Sequence, residues 1–541
     1  MKFIFRKAWI LLPLLAATLT SSAQSAKPKL NGWHLLDQQK DGYAGISLNE
    51  AYELLKGRKS TRVIVAVIDS GLDTTQEDLK PIIWVNEKEV AANGIDDDHN
   101  GYIDDLHGWN FCGSKTGENL ARNSHEITRV YHGWKAEFEG KKEKDIPASR
   151  RFLFEQWTKA AALINKEYEE AQKALPNVNS YLDALNQSSK TINAYLKTSE
   201  FTLEQVKPLV RDPNEVLMRC AALWTEVFGN FGGGSISSTA VTKEVDNYKT
   251  QLQNNINKKT TPPADWRGDM VRDNYTDIND RFYGNNNLKS GSGDHGTMVS
   301  GIIGAVRNNS VGVDGIADNV RIMAVRAVPG GDEHDKDVAL AIRYAVDNGA
   351  KIINMSFGKP VSPYKQFVDD AVRYAESKGV LLIHGSGNDG VDITNNIFYP
   401  NPIYLDGKTA SNYLTVGASG DPSTGSYAAS FSNYSKQAVD IFAPGTNIYS
   451  TATDNRYVAA DGTSAASPVV TGVAALLKSY FPDLTPAQII EIINASGSTV
   501  DVLVIPPGQG EKKVNFASLS RSGKIVNAYG AVKLALEKDK R

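Results

Sequence analysis

Cysteine is almost missing from this chain: its 541 residues include only Cys112 and Cys220, which rules out a fold stapled by a disulfide framework. Neither cysteine stands near the N-terminus, so a lipid on a new N-terminal cysteine is excluded as well. A strong charge of either sign is also lacking. The formal net charge is -3, and loss of Lys2, Arg6 and Lys7 with a leader would make it only slightly more acidic, leaving no electrostatic case for nucleic acid. Past the N-terminus no stretch approaches the ~20 continuous apolar residues of a membrane-spanning helix. The mature chain is therefore expected to be soluble.

What is present begins with a leader. Lys2, Arg6 and Lys7 precede an apolar core from Ala8 to Ala17, and Ser21-Ser22-Ala23 satisfies the small-residue rule for cleavage, so residues 1–23 read as a signal peptide. Export follows, to the medium, the periplasm or the cell surface.

Further along, Gly462-Thr463-Ser464-Ala465-Ala466-Ser467-Pro468 sets a serine just before an apolar helical run through Val469, Val470, Val473, Ala474, Leu476 and Leu477. Pro468 fits a first helical turn. Ser464 is thus expected at a helix N-terminus, where unsatisfied N–H groups and the helix dipole can stabilise an oxyanion. Alone, such a serine is a helix cap. Upstream, Val63-Ile64-Val65-Ala66-Val67-Ile68 reads as a strand buried on both faces and ends in Asp69-Ser70-Gly71. Asp294-His295-Gly296 opens a run of small and apolar residues at helical spacing, and Leu381-Leu382-Ile383 leads to Gly387-Asn388. Taken singly, Asp69 is a loop carboxylate, His295 a packed core histidine and Asn388 a turn asparagine. Together they supply a nucleophile, a base and the group that orients the base.

From His295 onward, strand-like runs near 321–328, 351–356, 380–384, 413–418 and 439–444 are joined by helix-like stretches at 335–348 and 364–378, and the last helices fall near 467–480 and 485–495. This alternation predicts an α/β fold: a doubly wound, mostly parallel sheet with helices on both faces. Ligands of such sheets bind outside the carboxyl ends of the strands, where Asp69, His295 and Ser464 can converge.

The segments Val-Ile-Asp-Ser-Gly around Asp69, His-Gly-Thr around His295, Gly387-Asn388, and Gly-Thr-Ser-Ala-Ala-Ser-Pro around Ser464 occur in that order, and so the chain resembles the subtilases, the subtilisin-like serine proteases. The resemblance covers about residues 30–110 and 290–537. It implies peptide hydrolysis, with Ser464 as nucleophile, His295 as general base and acid, Asp69 orienting His295, and the Asn388 amide completing an oxyanion hole. It also implies an edge strand, Asn354-Met355-Ser356-Phe357-Gly358, for antiparallel pairing with substrate, so Ser356, Phe357 and Gly358 are the substrate-binding candidates. Phe357 departs from the usual small residue, Ala465 from methionine and Met298 from histidine; none is a reacting group. Asp294 raises the His295 pKa if it turns inward, or stands in solvent. Gln24 to Asp69 leaves no room for an inhibitory propeptide, so activity without removal of a pro-domain is expected.

Between Asp69 and His295 the chain is longer than a compact subtilase needs. Asp96-Asp97-Asp98-His99-Asn100-Gly101-Tyr102-Ile103-Asp104-Asp105 offers oxygens at alternate positions with a glycine at the sixth, as in an EF-hand loop, but the twelfth position is His107. A structural calcium site is expected from Asp96, Asp98, Asn100, the Tyr102 carbonyl and Asp105; the alternative is a solvated acidic turn. Residues 119–288 read as an insertion. Phe154, Trp157, Ala161, Ile164, Tyr168, Ala171 and Leu175 form one amphipathic stripe, and Val216, Cys220, Leu223 and Val227 another. A capping box is expected at Thr202 to Gln205, and Pro176, Pro208 and Pro213 are read as punctuating the helices. Gly232-Gly233-Gly234 and the polar stretch to Asn287 read as a flexible return. The organisation is thus leader 1–23, N-terminal catalytic part 24–118, insertion 119–288 and C-terminal catalytic part 289–541. No organic cofactor and no nucleic-acid partner is implied. Two functions remain: an exported endopeptidase acting on proteins or peptides, or a catalytically weak binding protein on the same scaffold, using the insertion. An α/β-hydrolase esterase is disfavoured, because Ser464 lacks the Gly-x-Ser-x-Gly elbow and no acid-then-histidine order follows it.

Overall fold

A computed structural model describes residues 30–232, 236–289, 293–421, 426–508, 510 and 512–540. The leader, together with Gly233 and Gly234, lies outside them. The described chain forms two compact units, one from Pro28–Glu126 with Ala264–Arg541 and one from Ile127–Pro263.

The larger unit is built on strands β1 (Val63–Asp69), β2 (Gly108–Asn110), β3 (Val320–Arg326), β4 (Ile352–Met355), β5 (Leu381–Gly385), β6 (Tyr413–Ser419), β7 (Ile441–Pro444), β8 (Ile448–Ala452), β9 (Arg456–Ala460), β10 (Ser498–Thr499), β11 (Leu503–Val504), β12 (Val514–Asn515) and β13 (Lys524–Ile525). Nine of them form one sheet in the order β10-β13-β7-β6-β5-β4-β1-β3-β2. Every pairing in it is parallel except β10 with β13. The fold is therefore the doubly wound α/β sheet expected from the alternation. Val65, Val67, Ile322 and Ile383 are buried in one apolar layer, and Ile68, Met323, Val325 and Leu382 in the other, as side-chain alternation on a sheet covered on both faces requires. From β1 the chain winds to β3 on one side and to β4 on the other. The boundary between β1 and β4 is the topological switch point, and the crevice outside their carboxyl ends is where such sheets take ligands.

Against one layer packs the helix Thr463–Tyr480, buried along its whole length except at Ser464 and Lys478. It begins four residues before the expected start, so Pro468 sits inside it and not in its first turn. The proline has no N–H to give the Ser464 carbonyl. That carbonyl accepts instead from the Ser356 hydroxyl, at 3.1 Å.

The sheet also corrects the edge-strand expectation. Asn354 and Met355 lie in β4, paired on both sides by β1 and β5, and only residues 356–358 lie beyond the strand end.

The unit Ile127–Pro263 is helical. Pro176 does not punctuate it: one helix of 46 residues, Arg151–Leu196, runs through the proline. Trp157, Ile164, Ala171, Val178, Leu185 and Ile192 are all buried along it, a heptad spacing that keeps one seam facing its neighbours. From Ala171 to Ile192 those neighbours are the helices Glu215–Asn230 and Ser238–Thr260, whereas Trp157 packs on Tyr131 and Phe138. The capping box at Thr202 and Gln205 is present. The helical unit is shorter than the expected 119–288, and the polar return is not a loose linker. Residues 264–288 pack into the larger unit, where Arg267 is 2 % exposed and bonds Asp337 and Asp273 at 2.6 Å each, while the Trp109 indole donates to the Tyr283 carbonyl. Composition read these residues as polar; their polar groups are paired and so can be buried.

Leu185 is completely buried within the heptad seam, so Leu185→Ala should destabilise the helical unit by ~2–5 kcal/mol. Chemical denaturation with helicity as the signal measures this.

Candidate active site

Asp69 is the last residue of β1 and is 2 % exposed. Its Oδ1 accepts the Ser70 N–H at 2.6 Å and lies 2.7 Å from His295 Nδ1. Facing a carboxylate, Nδ1 carries the proton, which leaves Nε2 free as an acceptor. His295 is the second residue of the helix Asp294–Gly304. The first turn of that helix sits on the loop after Asp69: a Cβ on Gly296 would lie 2.0 Å from the Gly71 carbonyl oxygen, so only glycine allows the approach. Asp69 raises the His295 pKa, chiefly by its charge, against burial, which lowers it. Asp294 contributes nothing inward. It is exposed, bonds Thr453 and Arg456, and is held below the usual carboxylate range first by the Thr453 hydroxyl.

Ser464 is the second residue of its helix. Its Oγ donates to the Ser356 carbonyl at 3.4 Å, and no hydrogen bond joins it to His295. Substrate-free sites are often loose in this respect. Asn388 lies three residues beyond β5, and its Oδ1 accepts from the Thr463 N–H at 2.9 Å and the Thr463 hydroxyl at 3.0 Å. Two donors fix the amide's oxygen inward and turn its NH2 outward. Gly462 has φ +150°, and a Cβ there would lie 3.5 Å from Asn388 Nδ2, 3.5 Å from the Ser464 nitrogen and 3.7 Å from Ser464 Oγ. Because the residue is glycine, that point stays open, with two N–H donors and one hydroxyl around it. An oxyanion could be held there.

Several supporting roles were missed by sequence reasoning, including those of Asn354 and Ser356, which were expected only along the substrate backbone. Asn354, Ser356, Ser467 and Thr471 form a buried hydrogen-bonded chain that ties the serine helix to β4. Buried Arg326, the last residue of β3, donates to the carbonyls of Ser70, Cys112 and Leu120 and to Asn110 Oδ1, clamping the loop that follows Asp69. His384 is buried, its pKa pushed down to about 4 by burial, and its Nε2 lies 2.6 Å from the Phe357 carbonyl. The available signal was a polar residue inside an otherwise apolar strand, as at Asn354 and His384.

The acidic loop gathers a different set from the one expected. Oxygens of Glu89, Asp96 and Asp98 lie within 4.8 Å of one another. Glu89 is 7 % exposed, and its Oε2 is buried without a hydrogen-bond partner. Asp105 points elsewhere, accepting from Tyr344, Asn86 and Asn100, and burial pushes its carboxyl up to about 6. Asn100 Oδ1 accepts the Tyr102 N–H. Asp105 and Asn100 thus spend their side chains on neutral donors, Tyr344 and Asn86 among them from outside the loop.

The model of the subtilase family matches residues 60–517. The chain belongs to the subtilase family. Similar proteins include a thermophilic serine proteinase of Bacillus sp. (strain AK1), 43% identical over 186 residues, which are 34% of this chain and 42% of that one. A thermostable alkaline protease of Halalkalibacterium halodurans is 38% identical over 205 residues, 38% of this subtilase and 52% of the relative. Subtilisin Savinase of Lederbergia lenta is 37% identical over 207 residues, 38% and 70% of the two chains. This subtilase spans 42% of the length of the first of these relatives and 52% of the second. Among the described residues no helix is long and apolar enough to cross a membrane.

The His295 geometry makes a titration prediction. Its midpoint, followed by NMR of ring-labelled histidine, should lie above the ordinary ~6.5, and Asp69→Asn should lower it. The raised value also means that the Asp69–His295 pair stabilises the fold fully below the ordinary imidazole value, and that this increment is lost as pH rises through the folded midpoint.

Proposed function

We propose that this subtilase is an exported serine endopeptidase that hydrolyses peptide bonds in proteins or peptides. The supporting observation is the open point beside Gly462, where Asn388 Nδ2 and the Ser464 N–H meet next to Ser464 Oγ. With a substrate carbonyl oxygen at that point, its carbon stands beside the hydroxyl. Ser464 Oγ attacks and gives its proton to His295 Nε2, while Asp69 holds the Nδ1 proton and balances the imidazolium charge. The two N–H donors hold the tetrahedral oxyanion. His295 then protonates the leaving amine, and water resolves the acyl-enzyme by the same steps in reverse. Residues Ser356, Phe357 and Gly358 pair with the substrate backbone. The proposed export rests on the leader, residues 1–23.

The acidic loop fits a calcium ion. Three clustered carboxylates repel one another, and a buried oxygen with no donor is costly, whereas a hard cation satisfies both conditions. Glu89, Asp96 and Asp98 would hold the ion and fix the loop that precedes β2; the ion takes no part in the chemistry.

Three outcomes test this reading. A fluorophosphonate probe should label Ser464 in folded protein, and Ser464→Ala should abolish labelling; an unlabelled wild type would favour a non-catalytic scaffold. Asn388→Ala should lower kcat by about two to three orders of magnitude, roughly 3 kcal/mol of transition-state stabilisation, with KM little changed. A calcium chelator should lower the melting temperature, and Glu89→Gln should remove most of that sensitivity; an unchanged melting temperature sinks the calcium site.

A further inference from the structure

Two segments border the serine: 356–358, after β4, whose Ser356 carbonyl accepts from Ser464 Oγ, and 385–388, after β5, where Gly387 and Asn388 bond Thr463. A substrate with its carbonyl oxygen beside Gly462 and its backbone along 356–358 would direct the side chain of its acyl residue between them. Both carry glycines, and a slot between glycines is open to a large side chain unless something else fills it. Here something does. A Cβ on Gly358 would lie 3.1 Å from Phe398 Cδ1 and from the Tyr399 carbonyl oxygen, and a Cβ on Gly387 would lie 2.4 Å from Asn433 Nδ2 and 3.3 Å from Phe398 Cε1. The two Phe398 atoms are bonded neighbours on one edge of the ring, so the Phe398 edge spans the gap from one glycine to the other. The His384 ring closes the slot further, with Nε2 3.4 Å from the same Gly358 position.

Phe398 is held there from both sides. The Lys359 N–H donates to the Tyr399 carbonyl and the Tyr399 N–H to the Lys359 carbonyl, at 2.9 Å each. Asn401 Nδ2 donates to the Phe398 carbonyl at 3.0 Å. The Lys359 side chain is 2 % exposed and anchored on Glu126 at 2.6 Å and Asp335 at 2.8 Å, so the bridge that carries Phe398 is tied into the body of the unit. Removing a ring from this place would leave room of about the same shape. That is the space an aromatic substrate side chain would need.

We propose that Phe398 determines specificity by filling the acyl-residue pocket, so that the enzyme prefers small side chains such as alanine before the scissile bond and rejects aromatic ones. This rests on the protease reading above. The test compares kcat/KM for two tetrapeptide p-nitroanilides that differ only in alanine or phenylalanine before the anilide. Wild type should favour alanine by ~10-fold or more, and Phe398→Ala should shift the ratio toward phenylalanine by a similar factor, on the scale that pocket volume ordinarily discriminates. Phe398→Leu, which keeps most of the volume, should fall between them and covers the case in which the alanine variant does not fold. A wild type that cleaves the phenylalanine substrate as well as the alanine one, or a ratio unmoved in folded variants, overturns the pocket assignment alone. Failure of wild type to cleave either substrate, together with failure of the fluorophosphonate to label Ser464, overturns the protease reading and the pocket with it.

Discussion

Parallel strands end on one edge, and that constraint governs the whole candidate site. Asp69 closes β1, Ser356 follows β4 and Asn388 follows β5, so residues far apart in the chain arrive at one crevice without any long loop to carry them. Because β1 and β4 flank the topological switch point, the connections leave this edge in opposite directions and open the space between them. The helices Asp294–Gly304 and Thr463–Tyr480 carry His295 and Ser464 at their second positions, so each side chain stands at a helix N-terminus.

The serine helix shows how burial and accessibility coexist. It is buried on all sides and packed into the core, yet Ser464 stays reachable because it stands at the end. The end is fixed by polar bonds where apolar packing is least directional. Pro468 frees the Ser464 carbonyl, Ser356 takes it up, and Ser467, Asn354 and Thr471 extend the chain of bonds into β4. Thr463 meanwhile holds Asn388 by its oxygen and so aims its nitrogen. Arg326 does similar work under the Asp69 loop, spending a buried guanidinium on carbonyl oxygens and one amide oxygen. Each of these groups is costly to bury alone, and together they leave the reacting atoms little freedom to move.

The helical unit follows a different logic. Its long helix tolerates Pro176 because the seam of Trp157, Ile164, Ala171, Val178, Leu185 and Ile192 continues past it, so packing outweighs one lost backbone bond. The apolar stripe was legible through Leu175, but a proline read locally as a stop hid its second half. The return segment misled in the opposite way: Arg267, Asp273 and Tyr283 look like solvent-facing residues until two residues distant in sequence are placed beside them, Asp337 against Arg267 and Tyr283, and Lys336 against Asp273.

The sequence by itself determined the alternation that makes the sheet, the buried character of β1 and of the serine helix, and the four short segments that carry Asp69, His295, Asn388 and Ser464. These are local patterns, set by apolar periodicity and by turn chemistry within a few residues. Only the tertiary structure decided what each polar group meets: that Asp69 meets His295, that Asn388 turns its nitrogen to the space beside Gly462, that Asp105 is taken by Tyr344 while Glu89 joins Asp96 and Asp98, and that Phe398 lies between Gly358 and Gly387. Such meetings depend on strand order and helix packing across hundreds of residues. A hydrogen bond or a filled slot is a fact of position within a few tenths of an ångström, which no local pattern encodes.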